Sequence, residues 1–116
     1  MLTSVAFSQE DLSAEEFFNI QDTTKYAIVL DVRIYEEYEE DRIPGSVYAG
    51  EKKILMELIG DYDSATPLLI YCKRGERSKT VIDLLKEEGF IKLYHLKRGY
   101  EDWKIKGFPV DNENID

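Results

Sequence analysis

Two short apolar runs constrain this chain more than any other feature. Tyr26-Ala27-Ile28-Val29-Leu30-Asp31-Val32 and Leu68-Leu69-Ile70-Tyr71-Cys72 have strand length and lack the polar–apolar alternation of a strand with one wet face. Runs of this kind read as strands buried on both sides. Such strands occur in parallel sheets, whose crossover connections lay helices over both faces.

The segments around the two runs fit that scheme. Ser13-Ala14-Glu15-Glu16 has the form of a capping box and opens a short helix through Phe17, Phe18 and Ile20. Residues 35–40 predict a short acidic helix, closed by the turn Ile43-Pro44-Gly45. Ile54, Leu55, Leu58 and Ile59 stand at helical spacing and end at Gly60, and Pro67 launches the second run. Residues 80–88 predict a helix with Val81, Ile82, Leu84 and Leu85 on its apolar face and Gly89 as its C′ residue. Residues 91–96 predict a third strand. Residues 99–106 predict a last helix, which holds the single Trp and is stopped by Gly107-Phe108-Pro109. Alternating strands and helices imply an α/β fold with a parallel sheet.

Length and composition bound the possibilities. The 116 residues fit a single domain, 1–116, and 43% hydrophobic against 34% charged residues can build a real core. No apolar run approaches the ~20 residues of a membrane span. Residues 1–7 have no basic region and do not read as a secretory signal. A net charge of −9 argues against general binding to nucleic acid or to an anionic membrane. One cysteine and one histidine leave no metal-ligand pattern and no intramolecular disulfide, so no metal or cofactor is implied. A free thiol suits a reducing compartment, which makes cytoplasm the expected location. The residues 111–116 read as a short frayed acidic tail.

Chemistry is concentrated in one loop. Cys72-Lys73-Arg74-Gly75-Glu76-Arg77-Ser78 runs from the end of a buried strand into a helix, and ligands of open α/β sheets sit beyond the carboxyl ends of their strands. The thiolate is the nucleophilic form of cysteine. Helix N-termini and nearby cations favour that anion, and a loop entering a helix can turn several N–H groups inward as a cradle. Gly75 permits backbone conformations that a larger residue resists. Lys73, Arg74 and Arg77 place three cations within six residues of an otherwise acidic chain. A cysteine ending a strand is ordinarily a buried structural residue; the basic, glycine-containing loop makes Cys72 a candidate nucleophile instead.

The same loop resembles the active-site loop of the rhodanese family, Cys-x-x-Gly-x-Arg-[Ser/Ala]. Val29-Leu30-Asp31-Val32-Arg33, followed by Glu36-Glu37-Tyr38 and Arg42-Ile43-Pro44-Gly45-Ser46, resembles the family's Asp-Val-Arg and His-Ile-Pro-Gly-Ala blocks. Leu96-Lys97-Arg98-Gly99-Tyr100-Glu101-Asp102-Trp103 with Gly107-Phe108-Pro109-Val110 resembles its Gly-Gly-x-x-x-Trp and Gly-[Tyr/Phe]-Pro-Val block. The resemblance implies a three-layer fold, a five-stranded parallel sheet flanked by helices, with Asp31 and Arg33 near the loop. It also implies a sulfurtransferase that moves sulfane sulfur from thiosulfate or a similar donor, through a persulfide on Cys72, to cyanide, a thiol or a protein.

Within that scheme the backbone of residues 73 to 78, Glu76 and Ser78 included, would stabilise the sulfur anion. Lys73 and Arg74 would attract a small anionic donor. Arg77 would brace the loop, with Asp31 as an acidic partner. Two departures stand out: Asp41-Arg42 replaces the family's Gly-His, and Arg98 replaces the first glycine of Gly-Gly. Arg98 reads as a solvated charge.

Other readings follow the same resemblance. Four residues separate Cys72 from Arg77, the six-residue loop of sulfur transfer. Phosphatases and arsenate reductases of rhodanese-like fold carry one more residue, which makes room for a tetrahedral oxyanion. Sulfur-relay or regulatory modules of the family bind proteins, and the regulatory ones usually lack the cysteine. A monomer or weak dimer is expected. Family loops use no histidine base, so His95 reads as packing or edge polarity, and Trp103 and Phe108 as core.

Overall fold

The computed structural model describes residues 8–113; the reading of residues 1–7 as no signal lies outside the described residues. Among those residues, five strands form one parallel sheet in the order β1-β5-β4-β2-β3. The strands are β1 (Ser8–Leu12), β2 (Ile28–Asp31), β3 (Val47–Tyr48), β4 (Leu68–Tyr71) and β5 (Lys92–Leu96). The helices are α1 (Ala14–Thr23), α2 (Tyr35–Glu40), α3 (Lys52–Ile59), α4 (Arg77–Glu87) and α5 (Gly99–Ile105).

The two apolar runs are the central pair. β2 and β4 lie side by side with Asp31 opposite Tyr71, and every residue of β4 is fully buried. Successive residues of a strand face opposite ways, and the core divides accordingly. Leu30, Leu68, Ile70 and Leu93 pack with Leu55 and Ile59 of α3 and Ile82 and Leu85 of α4. Val29, Leu69, Tyr71 and Leu96 pack with Phe17 of α1 and Tyr100 and Trp103 of α5. Each fully buried Leu or Ile contributes about 1.5–3 kcal/mol, so a charge in β4 would have no face to turn to water.

The sequence capping box is present: Ser13 Oγ accepts from Glu16 N at 3.2 Å, and Glu16 Oε1 accepts from Ser13 N at 3.0 Å. Two strands escape the hydrophobic pattern. β1 is a polar edge strand, Ser8-Gln9-Glu10-Asp11-Leu12, and β3 has only two residues. Helix α4 begins at Arg77, three residues before the predicted start, because the loop passes directly into it. The acidic tail departs from expectation at its near end. Asp111 forms a bridge with Arg42, whose guanidinium Nη1 lies 3.1 Å from Asp111 Oδ2 and whose Nη2 donates to Glu113 O at 2.9 Å. Residues 114–116 lie outside the described residues.

This order makes a crevice. From β2 the chain moves outward to β3, whereas from β4 it moves to β5 on the other side. Connections leave in opposite directions at the carboxyl ends of β2 and β4, which is where open α/β sheets bind ligands. Cys72 is the first residue beyond β4.

Candidate active site

Cys72 is only 3% exposed, and its accessible side opens into a pocket of about 230 Å³ lined also by Arg33, Glu37, Lys73, Arg74, Glu76 and Arg77. The loop curls around the sulfur. Gly75 N donates to Sγ at 3.2 Å and Ser78 N at 3.3 Å, and Ser78 Oγ stands 3.2 Å from it. The Ser78 amide belongs to the first turn of α4, where N–H groups have no partner within the helix. Such donors, aligned with the positive end of the helix, favour negative charge on sulfur.

Two glycines make this curl possible. Gly75 has φ +92°, and a Cβ there would lie 2.0 Å from Lys97 O. Gly99 has φ +73°, and its Cβ would lie 2.3 Å from Lys73 O and 2.5 Å from Arg74 N. The loop is thus pressed against the start of α5. Tyr100 N donates to Cys72 O at 2.9 Å and Glu101 N to Lys73 O at 3.1 Å. Arg98 has φ −98°, a conformation open to any residue, so no glycine is needed there. Its side chain is 73% exposed, with Nε 3.9 Å from Asp102.

The loop cations already have partners. Arg74 Nε donates to Glu101 Oε2 at 2.8 Å, and Lys73 Nζ lies 3.9 Å from Glu37. Glu101 also holds the Arg74 guanidinium above its usual pKa, through the hydrogen bond first and its charge second. Glu76 is exposed at the pocket edge. Arg77 donates through Nη2 to Gly50 O at 2.9 Å, and its expected partner Asp31 is bonded to other groups. Arg33 occupies it.

Asp31 is fully buried behind the pocket wall. Arg33 Nε lies 3.1 Å from both of its oxygens, Nη2 donates to Oδ2 at 2.7 Å, and the Arg33 amide donates to Oδ1 at 2.9 Å. Tyr71 OH donates to Oδ2 as well, lies 3.2 Å from Ser46 Oγ and accepts from Ile43 N at 3.1 Å. Burial opposes charge on Arg33, but Asp31 outweighs it and holds the guanidinium above its usual pKa. Burial, reinforced by the neighbouring Asp31 charge, drives the Tyr71 hydroxyl well above its ordinary value. Arg33 also stacks over Tyr100, with Cζ 4.3 Å from the ring centroid. The replacement Arg42 is another buried guanidinium, donating to Tyr38 O at 3.0 Å.

His95, expected as packing or edge polarity, makes two side-chain bonds that its sequence position does not announce. It is fully buried, with Nε2 2.6 Å from Ser78 Oγ and Nδ1 3.0 Å from Asp11 Oδ1. The only signal in the sequence was a polar ring in an otherwise apolar strand. Its partner Asp11 lies in the strand that the pattern did not reveal. Among the described residues there is no cluster of three or more metal-ligating side chains, and no helix long and apolar enough to cross a membrane.

Fold and loop together define an α/β domain with a cysteine cradle at a sheet crevice. The chain belongs to the rhodanese-like domain family, whose model matches residues 13–106. It is similar to the thiosulfate sulfurtransferase GlpE of Coxiella burnetii, 36% identical over 87 residues that cover 75% of this chain and 79% of the relative. It is also similar to the putative sulfur carrier protein YrkF of Bacillus subtilis, 33% identical over 103 residues, covering 87% of this chain and 54% of that protein. In fold it matches the rhodanese-like domain of the Anabaena protein Alr3790, with a TM-score of 0.79 at 20% identity, covering 91% of this chain and 81% of that one.

Proposed function

We propose that this protein is a sulfurtransferase of the thiosulfate type, with Cys72 as its nucleophile. The observation that carries the reading is the set of donors around Sγ, the Gly75 and Ser78 amides at 3.2 and 3.3 Å and the Ser78 hydroxyl, at the floor of an open pocket. The Cys72 thiolate attacks the outer sulfur of thiosulfate. As the new S–S bond forms, the old one breaks and sulfite leaves with its electron pair. The persulfide anion is held by the same inward-facing backbone. An acceptor nucleophile such as cyanide or a thiolate then attacks the outer sulfur, and Cys72 is released as thiolate. These two displacements predict ping-pong kinetics.

The reading is tested by treating the protein with thiosulfate, recording intact mass and then adding cyanide. Wild type should gain one sulfur and release thiocyanate, and Cys72→Ser should do neither. Hydrolysis of an aryl phosphate by a protein that never gains sulfur would replace this reading with the phosphatase one. The likeness to a sulfur carrier supports a second version of the same chemistry, in which the acceptor is a protein thiol. It predicts faster discharge by a protein thiol than by cyanide at equal concentration.

A further inference from the structure

The Ser78 hydroxyl beside the Cys72 sulfur opens a chain of polar groups, of which the sulfur transfer described above leaves His95 and Asp11 unused. His95 stands on β5 on the same side as Leu93, the side that α4 covers. Burying an imidazole is costly unless its nitrogens are bonded, and both are. Nε2 lies 2.6 Å from Ser78 Oγ, and Nδ1 lies 3.0 Å from Asp11 Oδ1 on the edge strand β1. Ser78 is also fully buried and sets its Oγ 3.2 Å from Cys72 Sγ. Sulfur, hydroxyl, imidazole and carboxylate therefore form one continuous line from the pocket to the rim of the sheet.

We propose that Ser78, His95 and Asp11 are the proton path of Cys72, with His95 acting through Ser78 as the acceptor of the thiol proton. The inference rests on the reading of Cys72 as the sulfur-accepting nucleophile. Asp11 sets the direction. An ionised carboxylate only accepts, so Nδ1 carries the hydrogen and Nε2 turns its lone pair to the Ser78 hydroxyl. Ser78 then donates to His95, and its oxygen faces the Cys72 thiol.

When the thiol ionises, its proton passes to Ser78 Oγ while the Ser78 proton passes to Nε2. The S–H electron pair stays on sulfur, and the imidazole becomes an imidazolium beside Asp11. Two opposite charges appear and no proton leaves the protein. The thiolate is left accepting from the Ser78 hydroxyl and from the Gly75 and Ser78 amides. After the outer sulfur has gone to the acceptor, the reverse shift returns the proton to Cys72. His95 and Asp11 are positioning residues, since neither touches the reacting sulfur.

Among the described residues, the His95 ring is bonded to Ser78 and Asp11. From β1 comes Asp11, from α4 the Ser78 hydroxyl, and Cys72 lies behind that hydroxyl at the end of β4. The β4 residue in register with His95 is Ile70, which does not titrate. Lys97, on the same stretch as His95, acts on Asp11. Bonds from Gln9 first and His95 second hold the Asp11 carboxyl below its ordinary value, so it is ionised at neutral pH.

The test is the rate of Cys72 alkylation by iodoacetamide between pH 5.5 and 10, followed by intact mass, with sulfur loading from thiosulfate measured in parallel. Only the thiolate alkylates rapidly. His95→Gln and Ser78→Ala should slow alkylation about tenfold at pH 6.5, the loss of one charge-assisted hydrogen bond, and match wild type within about twofold at pH 10, where hydroxide removes the proton. Ser78→Thr should restore the rate, and Asp11→Asn should give a smaller loss with the same pH dependence.

Slowing by one factor at every pH would assign His95 to packing and overturn the proposal, as would wild-type rates at pH 6.5. Should His95→Gln fail to fold, Asp11→Asn decides, because that side chain is 45% exposed on an edge strand. Variants that show this pH dependence beside a wild type that never loads sulfur would refute the sulfurtransferase reading and leave the proton path standing.

Discussion

Replacing Gly99 by Ala strikes the active loop without touching any reactive group. The new Cβ would stand 2.3 Å from Lys73 O and 2.5 Å from both Lys73 C and Arg74 N. These are backbone atoms and cannot swing aside as a side-chain tip would. Restoring ordinary contact near 3.4 Å requires the Lys73–Arg74 peptide to retreat by about 1 Å. Holding φ +73° with a Cβ costs a further ~1–2 kcal/mol. The retreat also stretches the bonds from Tyr100 N to Cys72 O and from Glu101 N to Lys73 O, each worth about 0.5–1.5 kcal/mol.

The expected loss of stability is therefore about 2–5 kcal/mol. With a urea slope of ~1–3 kcal/mol/M, the unfolding midpoint should fall by about 1 M or more, read from the fluorescence of buried Trp103. Sulfur loading from thiosulfate should fall about a hundredfold, since a 1 Å misplacement of a catalytic group costs that much. Gly107→Ala is the matched control. Its φ is +78°, but a Cβ there meets nothing within 4 Å. It should show the dihedral cost alone, about 1 kcal/mol, with sulfur loading unchanged. If Gly99→Ala loses no more activity than Gly107→Ala, the loop is not held in place by the start of α5.

Two further substitutions separate charge from shape. Replacing Lys73 and Arg74 together with Ala should raise the Michaelis constant for thiosulfate about threefold, and less for an uncharged donor, because exposed cations already paired with Glu37 and Glu101 have little attraction left to give. Equal rises for both donors would mean that these side chains shape the loop. Arg33→Met should cost about 3–5 kcal/mol in urea denaturation by leaving the buried Asp31 carboxylate without its guanidinium. Adding Asp31→Asn should recover part of that loss, and a cost under about 1 kcal/mol for the single change would show that Asp31 is not held as a buried charge.

The central strands were legible because burial on both faces leaves a mark in one dimension: Leu68, Leu69, Ile70 and Tyr71 are all apolar and all fully buried. Helix α1 announced itself by a local device, the reciprocal bonds of Ser13 and Glu16. Strand β1 left no such mark. It sits at an edge, its ladder partners lie more than eighty residues away, and four of its five residues are polar or charged side chains that hydrophobic patterning counts as loop. The site divides along the same line. Cys72, Gly75 and Ser78 are neighbours in sequence and could be read together, whereas Asp11, Ser78 and His95 meet only because β1 pairs with β5 and α4 crosses β5. Arg77 donates to Gly50 O and not to the expected Asp31, since nothing in the sequence says that Arg33 reaches back two residues to fill Asp31.

The loop around Cys72 is basic, yet the contacts to the sulfur come from other groups. Arg74 turns to Glu101, Lys73 to Glu37 and Arg77 to Gly50 O, while the groups within 3.3 Å of Sγ are two amides and a hydroxyl. Side-chain cations at an exposed rim are screened by water and salt. Fixed N–H groups in a buried cradle are not, and need no reorganisation when charge appears. The loop cations therefore tie the curl to α2, α5 and the β3–α3 connection, and the donors nearest Sγ belong to the curl itself. Under the proposed function, the field at Cys72 is set by backbone geometry within a few ångströms and not by the −9 of the whole chain, so an acidic protein can still favour an anion there.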